Sequence, residues 1–282
     1  MTERDSCRLH RLQGVGMAVP GNSGLRWEPK KPELRYPSMF AAWPGMGNVA
    51  LVAAQNLVEK LGMKPLGSID ASTYVLADGI LVQKQKIMPL RLPEYRFHYY
   101  RRPAHGVDLI VFTGDTQPSQ PQGYSLARLV IKAAETWGVQ RVYTGAALAC
   151  SITHMEKPRV WGVATHSEIW ADFTRAGVEP LQDGQISGLN GLLLGVAKQA
   201  GFEGVCLLGE LPYYTIGMEN PKSSQAVLEK LCAFLDLELD FSDLREAALK
   251  KEMEIEEFIR RGENEAMLQQ MLESASEPEK PQ

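Results

Sequence analysis

Three residues early in the chain have the types and spacing of a phosphate-binding turn. Gly45, Gly47 and Ala50 match the pattern G-x-G-x-x-A, between an apolar run that predicts a strand and apolar residues at helical spacing. In such a turn the glycines let a phosphate approach the start of the helix, and a later acidic residue, here Asp70, holds a ribose hydroxyl. An ordinary strand-to-helix turn also favours glycine, with Asp70 at the surface, so the pattern alone leaves both interpretations open.

Two carboxylates could join this turn in a single pocket. Asp115 and Glu210 each follow an apolar run that predicts a buried strand. Ligands of open α/β sheets lie beyond the carboxyl ends of the strands, where paired carboxylates can bind a ligand or act as acid and base. The candidate ligand-binding residues are therefore Gly45, Gly47, Asn48, Asp115 and Glu210. The plainer alternative, which we favour, is that each carboxylate caps a helix or orders its own loop.

The sequence predicts no catalytic residue, no metal and no cofactor. Its five histidines include no pair four residues apart, and neither G-x-S-x-G nor G-x-x-x-x-G-K-[ST] occurs. His154 and His166 lie near predicted strand–loop junctions and would be the first histidines to test. The four cysteines are far apart, and Cys206 and Cys232 lie in apolar runs that predict buried, reduced thiols.

Strands and helices alternate through most of the chain, which predicts a three-layer α/β/α sandwich with a mostly parallel sheet. This core domain is expected to span residues 36–241. Residues 1–35 contain several glycines and prolines and predict a flexible N-terminal arm. Residues 242–273 predict a helical extension whose apolar seam contains Leu244, Ala248, Ile255 and Phe258. The polar residues 274–282 predict a disordered tail.

The composition is that of an ordinary globular protein. Of 282 residues, 44% are hydrophobic and 23% are charged, with 30 Lys and Arg against 34 Asp and Glu for a net charge of −4. This mild acidity argues against a nucleic-acid partner, which would require a basic surface. Neither a signal peptide nor a membrane span is predicted. Together with the cysteines, this indicates a protein of the reducing cytoplasm that has no membrane partner.

Four segments, taken in order, resemble one protein family. They are residues 43–49 (WPGMGNV), 109–118 (LIVFTGDTQP), 188–195 (GLNGLLLG) and 206–214 (CLLGELPYY). Their order and spacing are similar to those of the proteasome assembly chaperone 2 family, over about residues 38–240. The glycine turn belongs to the family pattern without a known nucleotide role, which weakens the dinucleotide interpretation.

The resemblance implies an α/β/α fold related to nucleoside phosphorylases and hydrolases, a homo-oligomer, and no established enzymatic chemistry. Eukaryotic relatives assist assembly of the proteasome α-ring, so proteasome subunits or another protein assembly are the expected partners. Some archaeal relatives dock on that ring through a C-terminal hydrophobic–Tyr–any-residue ending. Residues 279–282 (EKPQ) do not match that ending, so the resemblance does not extend to this route of docking.

Two functions from different classes follow. The first is a non-enzymatic, homo-oligomeric assembly or scaffold protein. The alternative is a small-ligand-binding protein or a phosphorylase- or hydrolase-like enzyme that uses the five candidate residues in the strand-end loops. Whether those loops form one concave pocket distinguishes the two.

Overall fold

A nine-stranded sheet forms the centre of the protein. The computed structural model describes residues 24–75, 79, 82–88, 93–103 and 106–275, with side chains described as far as Gly262. The strands are β1 (Leu25–Trp27), β2 (Ser38–Ala42), β3 (Lys64–Asp70), β4 (Val82–Gln83), β5 (Lys86–Ile87), β6 (Glu94–Tyr100), β7 (Leu109–Gly114), β8 (Arg141–Cys150), β9 (Val160–Ala164), β10 (Glu179–Pro180) and β11 (Glu203–Pro212). The helices are α1 (Val49–Lys60), α2 (Gly123–Thr136), α3 (Trp170–Ala176), α4 (Gly188–Gln199), α5 (Pro221–Leu235) and α6 (Ser242–Ala275).

The sheet has a parallel centre and antiparallel flanks. Its strand order is β1-β3-β6-β7-β2-β8-β11-β9-β10, and β4 pairs with β5 in a separate ribbon. The central strands β7, β2, β8 and β11 are parallel. On one flank β1, β3 and β6 pair antiparallel, and on the other β9 runs antiparallel to β11. Helices α1, α3 and α5 cover one face and α2 and α4 the other, which confirms the predicted α/β/α class.

Strand β2 shows how the sequence supplies both faces of the core. Successive side chains of a strand point to opposite faces. Phe40 and Ala42 accordingly pack on the side of α1 and α5, whereas Met39, Ala41 and Trp43 pack on the side of α2 and α4. All five are fully buried. An uninterrupted apolar run is therefore what a central strand of this sheet requires.

Part of the predicted N-terminal arm belongs to the folded body. Residues 25–27 form β1, which pairs with β3 at the edge of the sheet. The ring of Trp27 packs against Phe97 and Trp137, with ring centroids 5.3 Å apart in each case. Burial of this aromatic side chain holds the strand in place. Residues 1–23 and 276–282, which complete the predicted arm and tail, lie outside the described residues, and the domain boundaries stay a prediction.

The predicted C-terminal helix is present as α6 and packs along α5. Leu244, Ala248 and Ile255 of the predicted seam are buried, but Phe258 is exposed. At 3.6 residues per turn, Phe258 lies roughly 60° around the helix from the row formed by the other three. Ile259 is closer to that row and is half-buried instead. The seam therefore follows the true helical period rather than the heptad spacing.

Candidate functional site

The glycine turn between β2 and α1 is folded onto the connection between β11 and α5. Gly47 has a φ of +60°, and a Cβ there would lie 3.0 Å from Leu211 Cδ2 and 3.1 Å from Asn220 Cβ. The backbone N–H of Asn220 donates to Gly47 O (2.9 Å), and that of Asn48 donates to Gly45 O (3.0 Å). Gly47 is therefore required for close packing within the chain.

Asp70 does not lie beside this turn. It ends β3, which is separated from β2 by β6 and β7. Its Oδ1 accepts a hydrogen bond from Ser72 N (3.0 Å). Hydrogen bonding from the Ser72 side chain, followed by this backbone bond and then the charge of Arg26, holds the pKa of Asp70 below its ordinary value. A ribose-binding acid would have to reach the turn, so the dinucleotide interpretation has no geometric support.

Asp115 follows β7 as predicted, and its contacts are to the neighbouring strand β6. Its carboxylate Oδ2 accepts from Glu94 N (3.0 Å), and its own N–H donates to Glu94 O (3.1 Å). Arg96 Nη1 is 4.0 Å from Oδ1. This reciprocal pair fastens the start of β6 to the end of β7, which is the loop-ordering role that we favoured from the sequence.

Glu210 lies within β11 rather than after it, which corrects its predicted place beyond a strand end. β8 pairs with β11 as far as Pro212, so the strand continues past the apolar run. The carboxylate, 1% exposed, accepts hydrogen bonds from Trp161 Nε1 (2.9 Å) and Arg159 N (3.0 Å), and Arg159 Nη2 is 2.9 Å from Oε1. Burial by itself would raise the pKa of Glu210, but these hydrogen bonds and the charge of Arg159 hold it below its ordinary value. Glu210 thus fastens β9 to β11.

Two neutral side chains that the sequence analysis did not single out connect the strand-end loops. Gln117 donates from Nε2 to Pro44 O (2.6 Å), and its Oε1 accepts from Leu189 N (3.1 Å). Asn190 Oδ1 accepts from Trp43 N (3.3 Å). The loops after β2 and β7 and the start of α4 are therefore held together by uncharged amides. Both residues lie inside the segments that carry the family resemblance, which was the available signal.

These connections border a cavity of about 480 Å³. It lies between the loops after β2 and β7, the end of β8 and residues 181–188, which lead into α4. Its lining includes Trp43, Gly45, Gln117, Leu148, Gln185 and Asn190. Of the five candidate residues, Gly45 lines the cavity, and Gly47, Asn48, Asp115 and Glu210 do not. Gly47 packs against Asn220, Asp115 contacts β6, and Glu210 contacts β9. A ligand-binding role for the five stays a prediction, and the geometry does not bring them into one pocket.

A second polar cluster joins the loop after β8 to α6. Tyr214 Oη accepts from His154 N (2.8 Å) and lies 2.9 Å from His154 Nδ1. Lys222 Nζ donates to His154 O (2.9 Å) and pairs with Glu252 of α6 at 2.6 Å. His154 Nε2 is buried, and Glu256 is the nearest carboxylate at 4.0 Å. These bonds tie together loop and helix, and none of them forms a nucleophile–base pair.

The buried thiols have no reactive character. Cys206 and Cys232 are buried as predicted, and burial raises the pKa of each thiol to about 12. A thiol with so high a pKa is a poor nucleophile at neutral pH. Within the described part of the chain, no group of three or more His, Cys, Asp or Glu residues could hold a metal ion. No helix in that part is long and apolar enough to cross a membrane.

A comparison with protein families places most of the chain in one of them. The model of the PAC2 family matches residues 39–259, which include every residue of the Gln117 and Asn190 network. The chain belongs to the PAC2 family. The resemblance seen in the four sequence segments is thereby confirmed.

Relatives and solved PAC2-type structures cover most of the chain. The uncharacterized protein MJ1210 of Methanocaldococcus jannaschii is 31% identical over 219 residues, which are 76% of this chain and 79% of that protein. Pyrococcus furiosus PbaB, an archaeal proteasome activator, is 26% identical with a TM-score of 0.71, covering 86% of this chain and all of PbaB. The Mycobacterium tuberculosis proteasome-assembly chaperone homologue Rv2125 shares the fold at 23% identity and a TM-score of 0.66, covering 78% of this chain and 94% of that one.

Proposed function

We propose that this PAC2-family chain is a non-enzymatic assembly factor that binds other proteins, with proteasome subunits as the first candidates. The observation that carries the proposal is membership of the PAC2 family, whose solved structures include an archaeal homologue of a proteasome-assembly chaperone. The likeness to PbaB, a proteasome activator, spans all of that chain at 26% identity and makes proteasome subunits the first candidates. The two carboxylates that were candidates for acid–base chemistry also support a non-enzymatic role. Glu210 and Asp115 both fasten neighbouring strands together. The expected compartment is the cytoplasm.

An apolar surface suited to protein contact lies on three adjoining loops. Its members are the exposed side chains of Met46, Met155, Tyr213, Tyr214 and Ile216. The loops touch one another, since Gly47 N donates to Ile216 O (3.4 Å) and Tyr214 contacts His154. Clustered exposed apolar side chains are typical of interaction sites. We call these five residues the loop patch.

Purification of the tagged full-length chain from its own cell tests the proposal. We expect stoichiometric proteasome α-subunits, or another defined assembly, to co-elute. Tyr213→Ser combined with Ile216→Ser should lower the recovered partner at least about tenfold, because two apolar contacts are lost. Leu192→Ser removes an exposed apolar side chain on α4 and is the matched control. Recovery of the bare chain without any stoichiometric protein would contradict the proposed function.

We also propose that the chain forms a homo-oligomer through the outer face of α6. Leu249 and Met253 lie one turn apart on this helix and are 63% and 70% exposed. Leu249→Glu combined with Met253→Glu should lower the native mass towards that of one chain, because the two substitutions would place charges in an apolar contact. Glutamine in place of the exposed Glu246 is the control. An unchanged native mass in the double variant would exclude this face.

A further inference from the structure

Strand β8 continues well beyond the end of its partner β2. β2 pairs with β8 only from Arg141 to Thr144, whereas β11 accompanies β8 as far as Cys150. The chain leaves β2 at Ala42 and turns at Pro44, so no strand of the described residues covers the β2 side of residues 145–150. On that side, every second residue of β8 presents an N–H and a C=O without a strand partner.

This free edge borders the cavity. Ala146, Ala147 and Leu148 belong to its lining, as do Gln185 and Ser187 of the segment that leads into α4. The edge groups therefore face a space of about 480 Å³ in which another chain could run beside β8.

The residues that line the cavity also indicate the charge of a chain segment that could bind there. Among the described residues of the lining, the polar side chains include Gln117, Gln120, Gln185 and Asn190, and the one charged side chain is the carboxylate of Asp183. A carboxylate-rich segment entering here would lose water without gaining a cation. An uncharged segment would bury apolar side chains against Leu148 and Leu208 at no such cost, and a basic side chain could pair with the carboxylate of Asp183.

We propose that the cavity binds an extended, uncharged or basic segment of a partner protein, which pairs through its main chain with the free edge of β8. The identity of the partner rests on the proposed assembly function, but main-chain pairing does not. Backbone hydrogen bonds to the edge supply affinity. Apolar contacts with Leu148 and Leu208 select the alternate side chains of the segment. This is addition of a strand to the sheet at the place that β2 leaves open.

A library of random nine-residue peptides displayed on phage, selected on the immobilised full-length chain, tests this inference. The enriched peptides are synthesised with a fluorophore, and their affinity is measured by fluorescence polarisation. Gln185→Trp places a large ring into the cavity from an exposed position and should weaken binding at least about tenfold. Gln182→Trp adds the same ring at a neighbouring exposed position outside the lining and should change affinity less than about twofold.

N-methylation of the peptide tests the pairing mode. A strand turns alternate N–H groups towards its neighbour. Methylation at every second position should therefore abolish binding, and methylation at the positions between should leave it within about twofold. A scan without this alternation, or peptides that bind wild type and the Gln185→Trp variant equally, would overturn the inference.

Two further results separate the inference from its alternatives. A synthetic peptide of residues 1–23 that competes at the edge with higher affinity than every selected peptide would assign the edge to this chain itself and overturn the partner proposal. Failure of the proposed function has a different signature, because peptides would still bind the edge while no assembly co-purifies. If an assembly co-purifies while every selected peptide binds wild type and the Gln185→Trp variant equally, the function stands and the edge inference fails.

Discussion

Two regions at the carboxyl edge of the sheet hold their loops by different chemistry. Around the cavity, Gln117 and Asn190 connect three loops through neutral hydrogen bonds. On the opposite side, Glu210 and the Lys222–Glu252 pair fasten β9 and α6 through charged groups. The neutral network borders a cavity of about 480 Å³ with few charged groups. The charged network instead holds in place the loops that carry the exposed side chains of Met155 and Tyr214. The two regions therefore present different surfaces, a cavity on one side and an exposed apolar patch on the other.

The largest effect is expected from removal of the buried carboxylate. Glu210→Ala leaves Trp161 Nε1 and Arg159 N without their acceptor and should lower the free energy of unfolding by about 3 kcal/mol. Urea denaturation measures this. Glu179→Ala removes the other, exposed partner of Arg159 and should cost less than about 0.5 kcal/mol. Equal losses in the two variants would show that burial of Glu210 carries no special weight.

On the cavity side, Gln117 is the residue whose loss should matter most. Gln117→Met keeps the side-chain length but removes the bonds to Pro44 O and Leu189 N, so we expect a loss of about 2 kcal/mol in urea denaturation. Gln120→Met, at an exposed position of the same loop, should stay within about 0.5 kcal/mol of wild type. A Gln117 variant as stable as the Gln120 variant would refute the neutral network as a source of stability.

The fold could be predicted from the sequence because its central elements carry strong local signals. The apolar run of β2 and the helical spacing of α1 are continuous, and alternation of strands and helices predicts a layered α/β sheet. The antiparallel flank is different, because its pairings join residues far apart in the chain. Leu25 pairs with Ile69 and Tyr95 with Gly114, and no local pattern encodes such partners.

The candidate site was harder to predict, for two physical reasons. The end of β8, residues 145–150, is rich in glycine and alanine, which are weak strand formers, and it is a strand because β11 pairs with it. The free edge was therefore invisible in the sequence. Gln117 and Asn190 are neutral and carry no titratable signal, and their partners lie 72 to 147 residues away. Carboxylates do carry such a signal, but Asp115 and Glu210 fasten neighbouring strands together.

A smaller loss of stability is expected where α6 packs against α5. Glu252→Gln removes the carboxylate from Lys222, which keeps its bonds to the backbone oxygens of His154 and Met155. The cost should be about 1 kcal/mol and should show as faster amide hydrogen exchange in α6. Glu254→Gln breaks the exposed pair with Lys251 and should change exchange little. If amide hydrogens of α6 exchange at the same rate in the two variants, the contact between Glu252 and Lys222 does not hold α6 in place.

The smallest expected effect is a pH-dependent change in how much Glu210 contributes to the free energy of unfolding. Because the pKa of Glu210 is lower in the folded protein than in the unfolded chain, its stabilising effect is complete above the unfolded value of about 4.3 and is lost as the pH falls below it. Glu210→Gln has no such proton to bind, so the difference in stability between wild type and this variant should shrink as the pH falls below about 4.3. The same comparison with Gln117→Met should show a constant gap, since neutral amides do not titrate in this range. Urea midpoints across the pH series measure both gaps. A Glu210 gap that stays constant would mean that the carboxylate acts through shape and hydrogen bonding alone, which would remove the electrostatic contrast between the two regions.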